Sequence, residues 1–285
     1  MFNMIFENKD GKQLTFGAGS PYTITEFQGL NPPKATINTN TTATLDGAMF
    51  NSSKLDMRNI NVAFAIEEEA EKNRLAVYEV IQTKYPLRIY YKSDFLDIFI
   101  DGYVEELDVS YFAKKNIVTV NVLCPFPYFK GAQEIINELS SVAPLFHFPF
   151  ASEGGSGDLI FGEIDTLTSV TVENNGSVST GLTFELYAKN NISNPKLVDY
   201  VTAEYMELNI EMLTGDLITI TTGQGNKTVT LLRNGVRSNI FNLLSKNSTW
   251  LQLPAGGGTY FYEVGAGLVT DLAVTIKHYD LHEGV

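Results

Sequence analysis

Residues 60–66 have the sequence Ile60-Asn61-Val62-Ala63-Phe64-Ala65-Ile66, and Glu67-Glu68-Glu69-Ala70-Glu71 follows at once. In the first stretch every second side chain is large and apolar, which is the spacing of a β-strand that buries one face. In the second stretch carboxylates stand where the positive end of a helix dipole stabilises them. The sequence therefore predicts a strand over residues 60–66 and a helix that begins near residue 67.

The predicted helix covers about residues 67–84, because good helix formers continue to Lys84 and are followed by Tyr85-Pro86. The residue before a proline avoids the helical region, so the helix is expected to end there. Apolar residues recur at intervals of three and four and predict one buried flank, formed by Leu75, Val77, Tyr78, Val80 and Ile81.

Residues 1–130 are otherwise predicted to form strands, which makes the first domain a β-sheet domain with one helix. Its end is placed near residue 130, because Pro125 and Pro127 remove backbone donors and stop the last strand. The expected strands lie at Phe2–Phe6, Leu14–Phe16, Tyr22–Phe27, Lys34–Leu45, Leu87–Tyr91, Leu96–Val104 and Ile117–Leu123.

Residues 131–285 form the second predicted domain. It begins with a short helix-like piece at Ala132–Leu139. The aromatic cluster Phe146–Phe150 and the glycine-rich Glu153–Gly157 then indicate an interdomain connection and a mobile loop. From Leu159 onward short strands alternate with turns roughly every ten residues, as in a β-sandwich or jelly roll. Tight turns are expected at Asn174-Asn175-Gly176, Thr214-Gly215-Asp216, Asn234-Gly235 and Ala255-Gly256-Gly257-Gly258. The predicted fold class is therefore mainly β.

The composition indicates a globular protein that does not bind nucleic acid through its charge. Hydrophobic residues make up 44% of the 285 residues and charged residues 19%, and the formal net charge is −13. Phosphate binding requires clustered lysine and arginine, so we expect no nucleic-acid partner. Residues 1–130 carry 13 basic and 16 acidic side chains and residues 131–285 carry 7 and 17, which gives −3 and −10. The second half is the acidic one.

The first residues and the single cysteine bear on where the protein is made. One cysteine excludes an internal disulfide, and residues 1–13 lack the basic and long apolar stretches of a signal peptide. No apolar stretch approaches the roughly 20 residues that a membrane helix needs. We therefore expect synthesis and folding in a cytoplasm and no membrane partner.

Side chains with the spacing of a catalytic or cofactor site are scarce. The sequence has three histidines and lacks Gly-x-x-x-x-Gly-Lys, Gly-x-Ser-x-Gly and His-Glu-x-x-His. Cys124 ends an apolar strand before a proline, which favours a buried small hydrophobe over a nucleophile. Glu67–Glu69 fit the start of a helix better than acid/base catalysis. We predict no catalytic residue, no cofactor and no enzyme activity.

The one arrangement with metal-ligand spacing is His278-x-Asp280-x-His282. Alternation along a strand would aim the three side chains the same way, which makes them weak candidates for a metal site. The alternative is a solvent-exposed edge. It is favoured because this motif ends only three residues before the last residue of the sequence, Val285.

Carbohydrate binding is a second possibility, because Trp250, Tyr260 and Tyr262 lie near loops or alternate along a predicted strand. Exposed aromatic rings can stack on sugars. The alternative is core packing, which a sandwich with two interior faces and 12% aromatic residues favours.

The order of several motifs resembles a known family. In the second half the motifs are Gly215–Thr222, Asn226–Leu231, Ser248–Gly256, Tyr260–Tyr262 and Val274–Tyr279, and in the first half Gly29–Pro33, Asp46–Phe50 and Val122–Tyr128. Together they resemble the distal tail proteins of long-tailed bacteriophages, over nearly the whole chain.

The resemblance implies a structural protein of the phage tail tip, or baseplate hub, in the virion. It implies a homo-hexameric ring whose N-terminal domains continue the tail tube and whose C-terminal domains are galectin-like. It also implies contacts with the tail tube protein, the tape measure and a tail-associated lysin or receptor-binding protein.

Two other functions stay open at this point. A carbohydrate-binding module or adhesin would recognise a cell-wall sugar through the second domain and would stay monomeric. A wall-degrading enzyme would need acid/base carboxylates in a cleft.

Overall fold

The chain forms two compact units, and the second is inserted into the first. A computed structural model describes residues 3–43, 46–111, 116–139, 141–144, 162–165 and 169–285. Unit 1 comprises residues 1–133 and 281–285, and unit 2 comprises residues 134–280. The described residues are mainly β with a single α-helix, which confirms the predicted fold class.

Unit 1 is built on one large antiparallel sheet. Its elements are β1 (Asn3–Asn8), β2 (Gln13–Phe16), β3 (Tyr22–Gln28), β4 (Ala35–Asn40), β5 (Met49–Leu55), β6 (Arg58–Ile66), α1 (Ala70–Val80), β7 (Pro86–Lys92), β8 (Asp97–Val109), β9 (Asn116–Cys124), β10 (Phe129–Gly131) and β27 (Leu281–His282). The main strand order is β2-β1-β7-β8-β9-β6-β3, and β10 joins beside β8 and carries β27. β4 and β5 form a separate hairpin.

The large sheet is rolled, so that strands from opposite ends of its order meet. The ring of Phe16, in the first strand of the order, lies 4.9 Å from the ring of Phe64 in β6 and 5.9 Å from the ring of Tyr22 in β3, the last strand. Aromatic pairs at such distances contribute about 0.5–1.5 kcal/mol each beyond the area they bury. The core of unit 1 therefore lies inside the roll.

Strand β6 has the predicted pattern. The side chains of Ile60, Val62, Phe64 and Ile66 are all buried in the core of unit 1. Ala63 and Ala65, which point to the opposite face, are buried as well. The last part of β6 is therefore covered on both faces, and the period of two describes only the side that holds the large residues.

Helix α1 is shorter than the predicted residues 67–84. Glu69 adopts a left-handed conformation with φ 42°, which interrupts the helix before residue 70. Val77 and Val80 are buried as predicted, but Leu75 is 53% exposed. The prediction for Leu75 was wrong, because this residue lies about 200° around the helix axis from Val77. No helix in the described ranges is long and apolar enough to cross a bilayer.

Unit 2 consists of short strands. They are β11 (Ile135–Glu138), β12 (Ser141–Pro144), β13 (Gly162–Asp165), β14 (Ser169–Val172), β15 (Thr180–Gly181), β16 (Thr183–Ala188), β17 (Ile192–Ser193), β18 (Lys196–Asp199), β19 (Tyr205–Glu207), β20 (Glu211–Met212), β21 (Leu217–Gly223), β22 (Asn226–Arg233), β23 (Val236–Asn239), β24 (Gln252–Leu253), β25 (Gly258–Glu263) and β26 (Leu272–His278). Two 3-10 turns lie at Phe241–Leu243 and Val269–Asp271.

Two sheets of unit 2 form a sandwich. One has the order β11-β26-β16-β21-β22-β23 and the other the order β14-β25-β18-β19. Both contribute side chains to a single core, in which the ring of Phe184 from the first sheet lies 6.2 Å from the ring of Tyr260 in the second. This arrangement is the β-sandwich that the turn spacing predicted.

The start of unit 2 differs from the prediction. Ala132–Leu139 was expected to be helix-like, but Ile135–Glu138 is a strand that pairs with β26. That expectation was wrong, because hydrogen bonding to a neighbouring strand outweighs a weak helical preference. The predicted connection over Phe146–Phe150 and Glu153–Gly157 lies outside the described residues. The predicted second domain included residues 281–285, which the structure places in unit 1.

Candidate functional site

The hairpin of β4 and β5, called the arm hairpin (residues 35–57), buries almost nothing against its own chain. The two strands pair antiparallel with each other, with a bulge between Asn38 and Thr39. Of their 13 residues, 11 are exposed. Thr36 Oγ1 donates a hydrogen bond of 2.7 Å to Asp56 Oδ2 across the hairpin. A lone two-stranded hairpin is only marginally stable in water, so its contacts with other surfaces decide its stability.

The arm hairpin also exposes large apolar side chains. Ile37 and Met49 are each 61% exposed, Phe50 is 68% exposed and Met57 is 60% exposed. Burial of one such side chain contributes about 1.5–3 kcal/mol, so leaving all four in water forgoes a large stabilisation. Several large apolar side chains exposed on one element are typical of a surface that another chain covers.

Unit 1 also holds residues 281–285. β27 pairs antiparallel with β10, with Leu281 opposite Lys130. The backbone N–H of Val285 donates to the carbonyl of Leu30 at 3.1 Å. The chain therefore leaves unit 1 after β10 and returns to it on the neighbouring strand.

Arg58 ties this returning segment to the rest of unit 1. The residue is 2% exposed, and its guanidinium lies 4.6 Å from the centroid of the Phe129 ring. It donates hydrogen bonds to the backbone carbonyls of Gly29, Asn31, Pro127 and Glu283, with 2.7 Å from Nε to Pro127 and from Nη1 to Asn31. Burial lowers the pKa of Arg58 from its usual value. Hydrogen bonds of a charged group contribute about 1.5–3 kcal/mol each, which makes Arg58 a major tie of unit 1.

The candidate metal ligands do not form a site. His278 is buried, and its Nε2 lies 3.4 Å from Asp280 Oδ1. Burial lowers the pKa of His278, so its imidazole is neutral at pH 7. His282 lies in β27, opposite Phe129. Alternation breaks between β26, which ends at His278, and β27, and within the described residues no three histidine, cysteine or carboxylate side chains could hold a metal ion.

The three candidate carbohydrate-binding residues differ in exposure. Tyr260 and Tyr262 are buried, and their hydroxyls donate to the carbonyls of Gln252 at 2.8 Å and Leu272 at 3.1 Å. These two residues therefore belong to the core and offer no face to a sugar. Trp250 is half-buried at the rim of the sandwich. The interpretation as core packing applies to both tyrosines.

Cys124 is buried in the core of unit 1. Burial raises the pKa of its thiol to about 12, so the thiolate that a nucleophile needs does not form at neutral pH.

Sequence reasoning missed two features of unit 1, the exposed apolar residues of the arm hairpin and the buried Arg58. The high threonine content of residues 34–45 indicated an exposed strand, yet it did not show that Met49 and Phe50 share that exposure. An arginine two residues before the predicted apolar strand was the available signal for Arg58, since a cation there needs buried acceptors.

Family models match both units of the chain. Residues 9–124 match the phage tail protein RIFT-related domain, and residues 175–277 match the C-terminal domain of the siphovirus-type tail component. The two matches do not overlap, and together they cover most of the chain. None of the curated proteins matches the sequence.

Similar solved structures align over the full length, and two of them illustrate the likeness. One is the crystal structure of the Dit protein (gp 19.1) of phage SPP1, described as a paradigm of the hub adsorption apparatus in Gram-positive infecting phages. The TM-score is 0.65 and the sequence identity is 16%. The alignment covers 99% of this chain and 99% of that one. The other belongs to the phage P2 baseplate in its activated conformation with Ca, with a TM-score of 0.51, 10% identity and coverage of 100% of this chain and 99% of that one. Such identities show a shared fold.

The order of the two domains matters as much as each match. The rolled sheet of unit 1 contains the matched tail-protein domain, and the sandwich of unit 2 contains the matched C-terminal domain. Both occur in one chain whose fold aligns from end to end with a Dit protein. The chain belongs to the siphovirus-type tail components, the distal tail proteins of phages.

Proposed function

We propose that this distal tail protein forms a closed homo-hexameric ring that joins the tail tube to the adsorption apparatus. The arm hairpin carries the proposal, because its strands and its apolar side chains are exposed and a second copy of the chain would cover them. The number of copies follows from the resemblance to distal tail proteins.

An arm explains why the assembly is a ring. The arm hairpin reaches a surface of the next copy that differs from the arm itself, which makes the contact head-to-tail. Head-to-tail contacts close into a ring when the rotation between copies divides a full turn. Unit 1 therefore carries the ring, and unit 2 is free to serve other partners.

The partners follow from the place of the ring. We assign it contacts with the tail tube protein, the tape measure and a tail-associated lysin or receptor-binding protein. The protein is made in the host cytoplasm and is incorporated at the tail tip of the virion. Its role is structural and needs no catalysis.

Light scattering during size-exclusion chromatography tests the ring. Across a concentration series we expect one fixed mass near six times the 31.5 kDa of the chain. The double variant Met49→Ser, Phe50→Ser removes two apolar side chains from each contact, so the concentration at half-assembly should rise at least tenfold. Val201→Ser is the control, since Val201 is 79% exposed in unit 2, and it should leave the mass unchanged.

A monomer at all concentrations would sink the proposal. So would a loss of assembly in Val201→Ser equal to that in the double variant, because the arm would then have no special part. The rival function, a monomeric sugar-binding module, is weakened by the burial of Tyr260 and Tyr262, and signal on a glycan array from a monomeric protein would revive it.

A further inference from the structure

Unit 2 separates its charges along the chain. Residues 217–262 contain no aspartate or glutamate and have four cations, which are Lys227, Arg233, Arg237 and Lys246. The rest of unit 2, residues 134–216 and 263–280, carries 16 acidic and 3 basic side chains. Four of the seven cations of unit 2 therefore lie in this one stretch of the sequence.

Three of these cations form no ion pair with a carboxylate among the described residues. Arg233 is neutralised, because its Nε lies 2.9 Å from Asp216 Oδ1. Lys227 and Arg237 take part in none of the ion pairs between described residues, and both are exposed. Lys246 lies in a turn where Ser245 N donates to Glu207 O.

Arg237 lies on an open sheet edge. β23 is the last strand of the larger sheet, and all four of its residues are exposed. The two-residue turn Asn234-Gly235, with φ 51° and 77°, joins it to β22. In such a hairpin the two residues next to the turn, Arg233 and Val236, are hydrogen-bonded to each other. Hydrogen-bonded and non-hydrogen-bonded pairs alternate along the strands, so the backbone N–H and C=O groups of Arg237 and Asn239 face away from β22. They can accept another strand.

An aromatic pair lies beyond the end of this strand. Phe241 is 47% exposed, and its ring lies 5.6 Å from the ring of Trp250 with an angle of 33° between the planes. The Nζ of Lys227 lies over the same indole, 5.3 Å from its centroid. Apolar contact area and positive charge therefore lie together next to the open edge.

We propose that this surface, the basic edge (Lys227, residues 236–239, Phe241 and Trp250), docks an acidic, extended segment of another protein. The segment adds a strand to β23 and bonds to the backbone of Arg237 and Asn239. By alternation Lys227 lies on the face of the sheet that includes buried Val229, and Arg237 lies on the other face. The carboxylates of the segment therefore lie near Arg237, and an apolar side chain packs on Phe241.

The geometry favours a protein strand over an anionic polysaccharide. A sugar that stacks on an aromatic ring needs a free ring face, and Lys227 and Phe241 already occupy the surroundings of the Trp250 ring. Unpaired backbone groups in a row match a peptide backbone. Arg237 on a short edge also discourages unwanted pairing, and an acidic strand is the partner that neutralises this charge.

Fluorescence anisotropy with a labelled peptide, Glu-Val-Glu-Thr-Glu-Val, tests the docking on the full chain. The peptide should bind at least tenfold more tightly than Lys-Val-Lys-Thr-Lys-Val. The variant Arg237→Glu should bind the acidic peptide at least tenfold more weakly. The charge-matched control Lys189→Glu, which changes an exposed cation outside the basic edge, should stay within twofold of the unchanged protein.

A second peptide tests strand addition without altering the protein. N-methylation of alternate peptide bonds removes donors from one edge of the acidic peptide, so at least fivefold weaker binding is expected from one of the two methylated registers. Equal binding by both methylated peptides, no binding of the acidic peptide, or equal losses in Arg237→Glu and Lys189→Glu would overturn the proposal. If polygalacturonate displaced the labelled peptide at a lower concentration of carboxylate groups than the unlabelled acidic peptide requires, the surface would be a polysaccharide site instead. These outcomes do not depend on ring formation, since each copy binds by itself.

Discussion

Two arginines, one in each unit, are held in opposite ways. Arg58 in unit 1 is buried and bonds to backbone carbonyls, one of which lies 225 residues away in the sequence. Arg233 in unit 2 binds the carboxylate of Asp216, which is 17 residues away and whose side chain is 3% exposed. Unit 1 is therefore tied by contacts between remote segments, whereas the tie in unit 2 stays within neighbouring strands.

The contacts of Arg58 and Arg233 differ in their dependence on pH as well as in sequence distance. Carbonyl groups do not titrate, so the tie made by Arg58 is independent of pH. Arg233 lowers the pKa of Asp216 through its hydrogen bonds, and this tie is therefore lost when the carboxylate is protonated. Substitutions at the two sites test whether the contrast is real.

The largest effect is expected for Arg58→Met, which removes every donor from the buried carbonyls. Unit 1 should lose about 3–5 kcal/mol of unfolding free energy, with no dependence on pH between 4 and 8. Urea titration followed by hydrogen–deuterium exchange of unit 1 peptides measures the loss. Arg88→Met is the control, because the pair of Arg88 with Asp101 is more than 40% exposed on both sides and should contribute less than about 1 kcal/mol. Equal losses would contradict the contrast.

A smaller effect is expected for Asp216→Asn, about 2 kcal/mol at pH 7. The folded-state pKa of Asp216 is lowered, so its stabilisation is fully present above the unfolded value of about 3.9 and is lost as the pH falls through the folded value. The variant and the unchanged protein should therefore converge at acid pH. The fluorescence of Trp250, the single tryptophan, reports urea unfolding of unit 2. Exposed Glu204→Gln should give parallel curves at every pH.

The smallest effect is expected for Tyr260→Phe, which removes one neutral donor. The hydroxyl of Tyr260 donates to Gln252 O at 2.8 Å inside the core, and its loss should cost about 1 kcal/mol. Burial raises the pKa of Tyr260, so the difference should be constant from pH 5 to 9. Thermal unfolding followed by circular dichroism measures it. Tyr200→Phe, at a residue that is 70% exposed, should have no measurable effect, and a loss there of similar size would argue against a specific bond.

Much of the fold could be predicted, because its signals are local. The turn at Asn234-Gly235 has the positive φ angles that asparagine and glycine adopt readily, and the strands on either side pair as that turn requires. Strand β6 buries the side that its alternation indicates. The limits of α1 were less predictable, since they depend on the left-handed conformation of Glu69, which no propensity reveals.

The candidate sites were harder to predict, because they depend on which strands become neighbours. Phe50 and Tyr260 are aromatic residues in strands, yet one is 68% exposed and the other is fully buried. The acceptors of Arg58 lie 27, 29, 69 and 225 residues away, beyond any local window. Only the folded arrangement shows that one side chain serves all of them.

The paired strands β10 and β27 have a consequence for how such proteins change over generations. Residues 134–280 begin and end at adjacent strands, whose Cα atoms lie about 5 Å apart in an antiparallel pair. A gene can therefore acquire, shorten or exchange the intervening coding sequence with both junctions falling at one spot on the remaining scaffold. Unit 1 can be inherited unchanged while the inserted unit 2 is replaced.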